Sequence, residues 1–395
     1  MNFRDLAEQN EQWIIEQRRY FHEYPELSLK EVNTTKELGK RLEELGLEPK
    51  YFDDITGVMA EIKGGKAGEG AKTVALRADI DALPVEEHTG LESSSKNAGV
   101  MHACGHDCHI AMLLGGVKML MEKKDELKGN VRILFQPAEE VAVGERAFIE
   151  RGAVDGVSAI YGAHIWGDFD APYMSFESGP RMASCDKFTI EIEGSSAHGS
   201  APHLGVDAIT TAVHVISEAQ EIVSRINDPL NPLVVTFGTI TGGQRWNIIA
   251  NKVVMDGTVR TMSPEMRKKT DEMLRAIVEH VTAIHGAKGT YKMEYLANPL
   301  INRSDDLCRL AEDAAVKLYG EGCLKHLEKM MGSEGFSFYM DEVPGVYGFV
   351  GSRDPEKGYT ATNHNDCYTV DESLLKRGAA MYAQFAYDFL EENGD

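Results

Sequence analysis

The stretch Thr73-Val74-Ala75-Leu76-Arg77-Ala78-Asp79-Ile80-Asp81 sets an apolar run against an acidic end. A short apolar run of this kind suits a buried strand. Downstream, Ile110, Leu113, Leu114, Val117 and Met121 form a helical stripe. A second apolar run, residues 131–135, ends in Gln136-Pro137-Ala138-Glu139-Glu140. A third, residues 159–163, ends in His164-Ile165-Trp166. The alternation of strand and helix predicts an α/β fold, with a mixed, largely parallel sheet flanked by helices. In such sheets ligands bind outside the carboxyl ends of the strands, where these polar clusters fall.

The texture changes further on. Phe188 to Glu193 alternates like a half-exposed strand, and a Gly/Ser/His loop follows it. A helix over residues 206–224, strands over 233–240 and 252–261, a helix over 264–285 and a strand over 290–296 complete the series. The order β-α-β-β-α-β is the split βαβ, ferredoxin-like plan. It predicts an α+β domain, residues 186–295, inserted into a discontinuous domain made of residues 1–185 and 296–395. Residues 8–48 read as helical with a break near Tyr24-Pro25. An apolar strand at residues 346–350 and a helix from about Glu372 close the chain.

Two domains also suit 395 residues. Hydrophobic content of 43% and charged content of 26% are ordinary for a globular chain with a substantial core. The net charge of −22 repels phosphate backbones and anionic lipid, which argues against nucleic acid and membrane partners. An anionic substrate would need a local cationic clamp. The first residues are charged and lack an apolar h-region, and no run reaches the roughly 18 apolar residues of a spanning helix. Six cysteines do not make a disulfide scaffold in a chain this long, so a reducing cytoplasm is expected.

Between the first strand and the helical stripe lies Met101-His102-Ala103-Cys104-Gly105-His106-Asp107-Cys108-His109. In an extended segment Cys104 and His106 share a face and can share an ion. Asp107 stands where a helix N-cap is expected. Cys104 and Cys108 are three residues apart, whereas redox pairs favour two. Alone, the segment is also compatible with a polar helix start. Glu139 and Glu140 point in different directions at a strand end, so one can hold a metal while the other faces water. Alone, they also read as a solvated acidic turn, and His164 as a satisfied core histidine. Taken together, Cys104, His106, Glu140, His164 and His364 offer a mixed sulfur, nitrogen and oxygen donor set. That set suits Mn, Zn, Co or Ni and does not suit calcium or magnesium.

Arg18-Arg19-Tyr20-Phe21-His22-Glu23-Tyr24-Pro25-Glu26, the Arg77 to Pro84 segment, Cys-Gly-His-Asp, Pro-Ala-Glu-Glu, His-Ile-Trp and the late His364 occur in that order. This series resembles the M20 metallopeptidase family over nearly the whole chain. The likeness is to its amidohydrolase branch of aminoacylases, hippurate hydrolases and auxin-conjugate hydrolases. The resemblance implies two divalent metal ions, with Cys104 bridging, His106, Glu140, His164 and His364 as further ligands, and Glu139 as general base. The wider family has His-x-Asp where this chain has Asp79-Ile80-Asp81, so no ligand role passes to Asp79. Asp81 fits a position that orients a ligand.

The inserted domain resembles the family's lid and dimerisation domain, which implies a homodimer. His198 falls where the family places an oxyanion-stabilising histidine. Such a donor is worth roughly 3–4 kcal/mol. Asn247 and Arg260 match the substrate-carboxylate positions, and Arg260 would be the cationic clamp. The branch usually carries Gly-Ser-Glu-Asp-Phe, and here the stretch is Gly332-Ser333-Glu334-Gly335-Phe336. The missing acidic side chain predicts an altered substrate preference. The implied activity is hydrolysis of N-acyl amino acids, small-molecule substrates, by metal-activated water. The alternatives are a dipeptidase or carboxypeptidase of the same family, and a non-catalytic binder of metal or acyl-amino acid. His102 and His109 take no assigned role at this point, and Cys108 reads as a packed neutral thiol.

Overall fold

The computed structural model describes residues 1–394. Two compact units divide the chain. The larger comprises Met1–Gly179, Asn302–Glu328 and the residues from Phe338 onward, and the smaller comprises Pro180–Ile301 and Lys329–Ser337.

The larger unit opens with α1 (Phe3–Glu23) and α2 (Val32–Glu44). The break between them falls at Tyr24-Pro25 because the residue before a proline avoids helical backbone. Strands β1 (Val58–Ile62) and β2 (Thr73–Asp79) follow, then α3 (His106–Glu122), β3 (Asn130–Gln136), α4 (Gly144–Glu150), β4 (Ala159–Asp170) and β5 (Met174–Ser175). Within the smaller unit the chain runs through β6 (Gly179–Met182), β7 (Cys185–Glu193), α5 (Ala208–Glu221), β8 (Leu233–Gly242), β9 (Lys252–Thr261), α6 (Pro264–Ile284), β10 (Lys288–Ala297) and β11 (Leu300–Asn302). It ends with α7 (Asp305–Tyr319), α8 (Ser337–Glu342), β12 (Gly345–Arg353) and α9 (Leu375–Asn393).

The six-stranded sheet of the larger unit has the order β1-β3-β2-β4-β12-β5. Its four central strands are mutually parallel, and the edge strands β1 and β5 are antiparallel to their neighbours. The mixed, largely parallel sheet expected from residues 73–163 is therefore present. All seven residues of β2 are buried, as a strand covered on both faces requires. Helices α1, α3 and α9 pack together with the sheet in one core that includes Ile14, Ile110, Leu114, Leu76, Tyr161 and Phe385. From β2 the chain moves out to β3, then crosses back to β4 on the other side. That reversal opens a crevice at the carboxyl ends of β2, β3 and β4.

In the smaller unit a four-stranded antiparallel sheet has the order β10-β7-β9-β8, with α5 and α6 packed on it. In chain terms this is fourth, first, third, second, the ferredoxin-like arrangement. Phe188, Ile190 and Ile192 are buried with Ala212, Val215, Leu274 and Val278, and the intervening positions are more exposed. Ser263 caps α6 and Pro264 occupies its first turn, which fixes where that helix starts.

Candidate metal centre

The candidate site of the larger unit is assembled at the carboxyl ends of β2 and β3 and on the middle of β4. The chain leaves β2 through Ile80-Asp81, and Met101 pairs with Leu83 in an isolated bridge that brings the cysteine segment back to the sheet. Gly105 precedes α3 with φ +93°, and an added Cβ would stand 2.7 Å from Ile165 Cγ2. Only glycine meets both demands, and it lets the chain turn sharply between Cys104 and His106. The expected capping role of Asp107 does not hold. Helix α3 begins at His106 with Gly105 as its cap, so Asp107 lies inside the first turn. Its carboxylate points into a buried cluster, 2.7 Å from Arg18 Nε and 2.8 Å from His22 Nδ1.

The imidazoles of His106 and His164 are each fixed by what Nδ1 binds. His106 Nδ1–H donates to the Asp81 carbonyl at 2.9 Å and lies 3.3 Å from the Asp81 carboxylate. His164 Nδ1–H donates to the Ile165 carbonyl at 2.7 Å. Both rings therefore present Nε2, the usual consequence of a hydrogen bond at the other nitrogen. His164 Nε2 stands 3.4 Å from Cys104 Sγ. His164 is not at a strand end, because β4 continues to Asp170, but pairing with β2 stops at Gly162 and frees this part of the strand toward the crevice.

The acidic segment after β3 is a tight turn with Ala138 at φ +56° and Ala142 at φ +52°. Buried Glu31 accepts the Ala138 N–H at 2.8 Å, and Glu139 O accepts the Ala142 N–H at 2.8 Å. The Glu140 N–H donates to Asp81 Oδ2 at 3.1 Å. Glu140 Oε1 lies 3.9 Å from His106 Nε2 and 3.6 Å from His364 Nε2. His364 has left-handed backbone, φ +68°, and its N–H donates to Ala103 O at 2.7 Å. A non-glycine residue in this region costs energy that local structure must offset.

The five residues expected as ligands converge, with donor atoms within 4.8 Å inside two sets that share Cys104: Cys104, His106 and His164, and Cys104, Glu140 and His364. A third set joins His106 and Glu140 to Glu139. Burial and neighbouring Glu140 push the Cys104 thiol well above its usual range. Burial also raises Glu140. Burial opposes charge on His106, but Asp79 and Cys104 outweigh it and hold a proton there well above the ordinary range. His164 is driven well below it by burial and by His109. His106 Nε2 and Glu140 Oε1 are also buried with no hydrogen-bond partner. Orphaned donor atoms and a sulfur, nitrogen and oxygen set fit divalent transition metals.

Three contributors carry no assigned role in the reading of the sequence. Asp79 is within 3.7 Å of His106 Nε2, but its carboxylate is engaged by Arg77 at 2.9 Å and by His109 Nδ1 at 2.6 Å. His109 Nε2 in turn accepts the Ile165 N–H at 2.9 Å, so both its nitrogens are used. The third is the motif of α1. Arg18 and His22 both engage Asp107, and His22 Nε2 reaches Glu87 at 3.1 Å.

In the smaller unit His198 is exposed and pairs through its backbone with Ile248, and its Nδ1 lies 2.6 Å from Ser200 Oγ. The Gly199 N–H donates to Asn247 O at 2.9 Å, which brings His198 and Asn247 together. Asn247 Oδ1 is buried without a partner. Arg260 donates to Ser333 Oγ at 3.3 Å, beside the segment that carries buried Gly335.

Residues 75–388 match the model of peptidase family M20/M25/M40. The chain is 40% identical to thermostable carboxypeptidase 1 of Saccharolobus solfataricus, over 96% of each chain. It is 39% identical to an N-acetyl-L-cysteine deacetylase of Bacillus subtilis, over 97% of this chain and 89% of that one. It superposes with a TM-score of 0.85 on the Bacillus subtilis YXEP protein, described as a dinuclear metal binding peptidase from the M20 family. That similarity is 36% in sequence and covers 97% of this chain and 99% of the other.

Proposed function

The chain belongs to peptidase family M20/M25/M40, and on that premise we propose that it is a metal-dependent amidohydrolase that cleaves N-acyl amino acids. The products are a carboxylic acid and a free amino acid. The observation that carries this reading is the convergence of Cys104, His106, Glu140, His164 and His364, with Glu139 beside them. These five residues would hold two divalent ions, and Cys104 belongs to two of the donor sets. Bound there, Mn, Zn, Co or Ni would polarise the amide carbonyl and acidify water.

The chain's own groups do the rest. Glu139 takes a proton from the attacking water and returns it to the leaving amine. The His198 imidazole donates to the oxyanion as it develops. The Arg260 guanidinium binds the substrate carboxylate with Asn247 beside it, and overcomes locally the repulsion of a −22 chain. Asp81 keeps His106 and Glu140 in register through the bonds described above. Edge strand β8 and the exposed Leu204, Val213 and Trp246 of the smaller unit support a homodimer formed through that unit. No helix among the described residues is long and apolar enough to cross a membrane. All six cysteines are free, which is in keeping with a cytoplasmic setting.

The test is hydrolysis of N-acetyl and N-benzoyl amino acids with Mn²⁺, before and after complete chelation. Equal rates after metal removal sink the mechanism. A second reading, carboxypeptidase or dipeptidase action, is favoured by the carboxypeptidase relative. Competition between an acetyl-amino acid and a dipeptide decides between the two. A binder without turnover is left only if no amide is cleaved while ligand still binds.

A further inference from the structure

Asn363 precedes the exposed His364 in a polar loop. Its side-chain amide makes three bonds to the segments that carry other candidate ligands. Nδ2 donates to the Cys104 carbonyl at 2.8 Å and to the Ile165 carbonyl at 3.2 Å. Oδ1 accepts the Gly167 N–H at 2.8 Å. The orientation is fixed, because the flipped amide would set its oxygen against two carbonyls and its NH₂ against an N–H.

Each bond bears on a donor atom. Cys104 O belongs to the residue whose thiol is common to two of the donor sets. Ile165 O is the same acceptor that holds His164 Nδ1–H, so anchoring it anchors that ring. The backbone of Asn363 leads directly into His364, whose left-handed conformation is tied down by Ala103. Gly167 permits the approach. A Cβ there would stand 2.9 Å from Ala361 O and 3.0 Å from Thr362 Cα.

We propose that Asn363 is a positioning residue that sets the spacing of Cys104, His164 and His364, and so the affinity for the ions they hold. This inference rests on the metal reading above. It goes beyond it by assigning a role to a side chain that touches neither metal nor substrate. Loss of groups that support metal ligands typically costs about 10- to 100-fold in metal affinity or activity.

The experiment measures Co²⁺ binding by chelator competition, together with the thiolate-to-cobalt absorption band, for the wild type, Asn363→Ala, Asn363→Asp and His88→Ala. His88 pairs with Asp366 at 2.9 Å in the same loop but touches no candidate ligand, so its variant controls for loop disturbance. The expected result is affinity weaker by about 10- to 100-fold in Asn363→Ala, with a diminished thiolate band. Asn363→Asp, which keeps the acceptor and loses both donors, falls on the same side, and His88→Ala matches the wild type. Melting of the metal-free proteins should be alike for all four. Wild-type affinity and band in Asn363→Ala overturn the inference, and so does an affinity loss matched by a drop in metal-free melting temperature. A wild type that binds no cobalt overturns the metal reading as well, which separates the two failures.

Discussion

Asp81 holds two candidate ligands at once. Its carboxylate lies 3.3 Å from His106 Nδ1 through one oxygen and accepts the Glu140 N–H at 3.1 Å through the other, which Ser28 also binds at 2.6 Å. Burial would raise the pKa of this carboxyl, but the bonds from His106 and Ser28 hold it below the usual range. Asp81→Asn keeps the shape and removes the charge. Metal affinity should fall by about 10- to 100-fold, read by chelator competition, with little change in the far-ultraviolet spectrum. Unchanged affinity would mean that Asp81 is scaffolding alone.

Glu139→Gln tests the proton carrier. The amide keeps the size of the side chain but cannot take a proton from water. Turnover should drop by about 10²- to 10⁴-fold, while metal content measured by elemental analysis stays at the wild-type level. A near-normal rate would give the base role to another group.

Arg260→Ala addresses the substrate end. A charge-assisted hydrogen bond contributes roughly 1.5–3 kcal/mol, or about 10- to 100-fold in affinity. KM for an N-acyl amino acid should rise by that factor, whereas KM for the matching N-acyl amino acid amide should not move. Equal effects on both compounds would remove Arg260 from carboxylate recognition.

The cluster behind Asp107 predicts a pH signature in folding. Burial and Arg18 oppose charge on His22, yet Asp107 and Glu87 outweigh them and raise its pKa above 6.5. Its contribution is complete below about 6.5 and is lost as pH climbs through the raised folded-state value. Glu87 moves the other way. Burial would raise it, but bonds from His22, Thr89 and the Ser95 N–H hold it at about 2. Its contribution is complete above about 4.5 and is lost as pH falls toward 2. Urea midpoints of the wild type and His22→Asn should therefore differ most between about pH 4.5 and 6.5. A difference that grows on the alkaline side contradicts the assignment.

Much of this was legible along the chain because local pattern and tertiary role coincide. Phe188, Ile190 and Ile192 alternate with exposed positions, and the strand they imply is β7. The polar residues closing residues 73–81 and 131–140 sit at strand ends, where open α/β sheets bind ligands. What escaped depends on packing between distant elements. Asp79 and His109 lie 30 positions apart and meet only because α3 folds back over β2. Asp107 resembled a cap by its place before a helical stripe, but α1 supplies two buried partners, Arg18 and His22, that engage its carboxylate instead. β1 was missed because five residues, Val58 to Ile62, carry too little period to separate from a loop.

The candidate ligands are unequally covered, and this has a kinetic consequence. His106 and His164 are at most 3% exposed, whereas His364 is 58% exposed on a loop with left-handed backbone. An ion held by His364 and Glu140 would face solvent, whereas one held by His106 and His164 would be enclosed. Unloading should proceed in order, a quick departure followed by a slow one. A chelator would then see two phases, and a chain stripped of only its outer ion could be isolated as a distinct species.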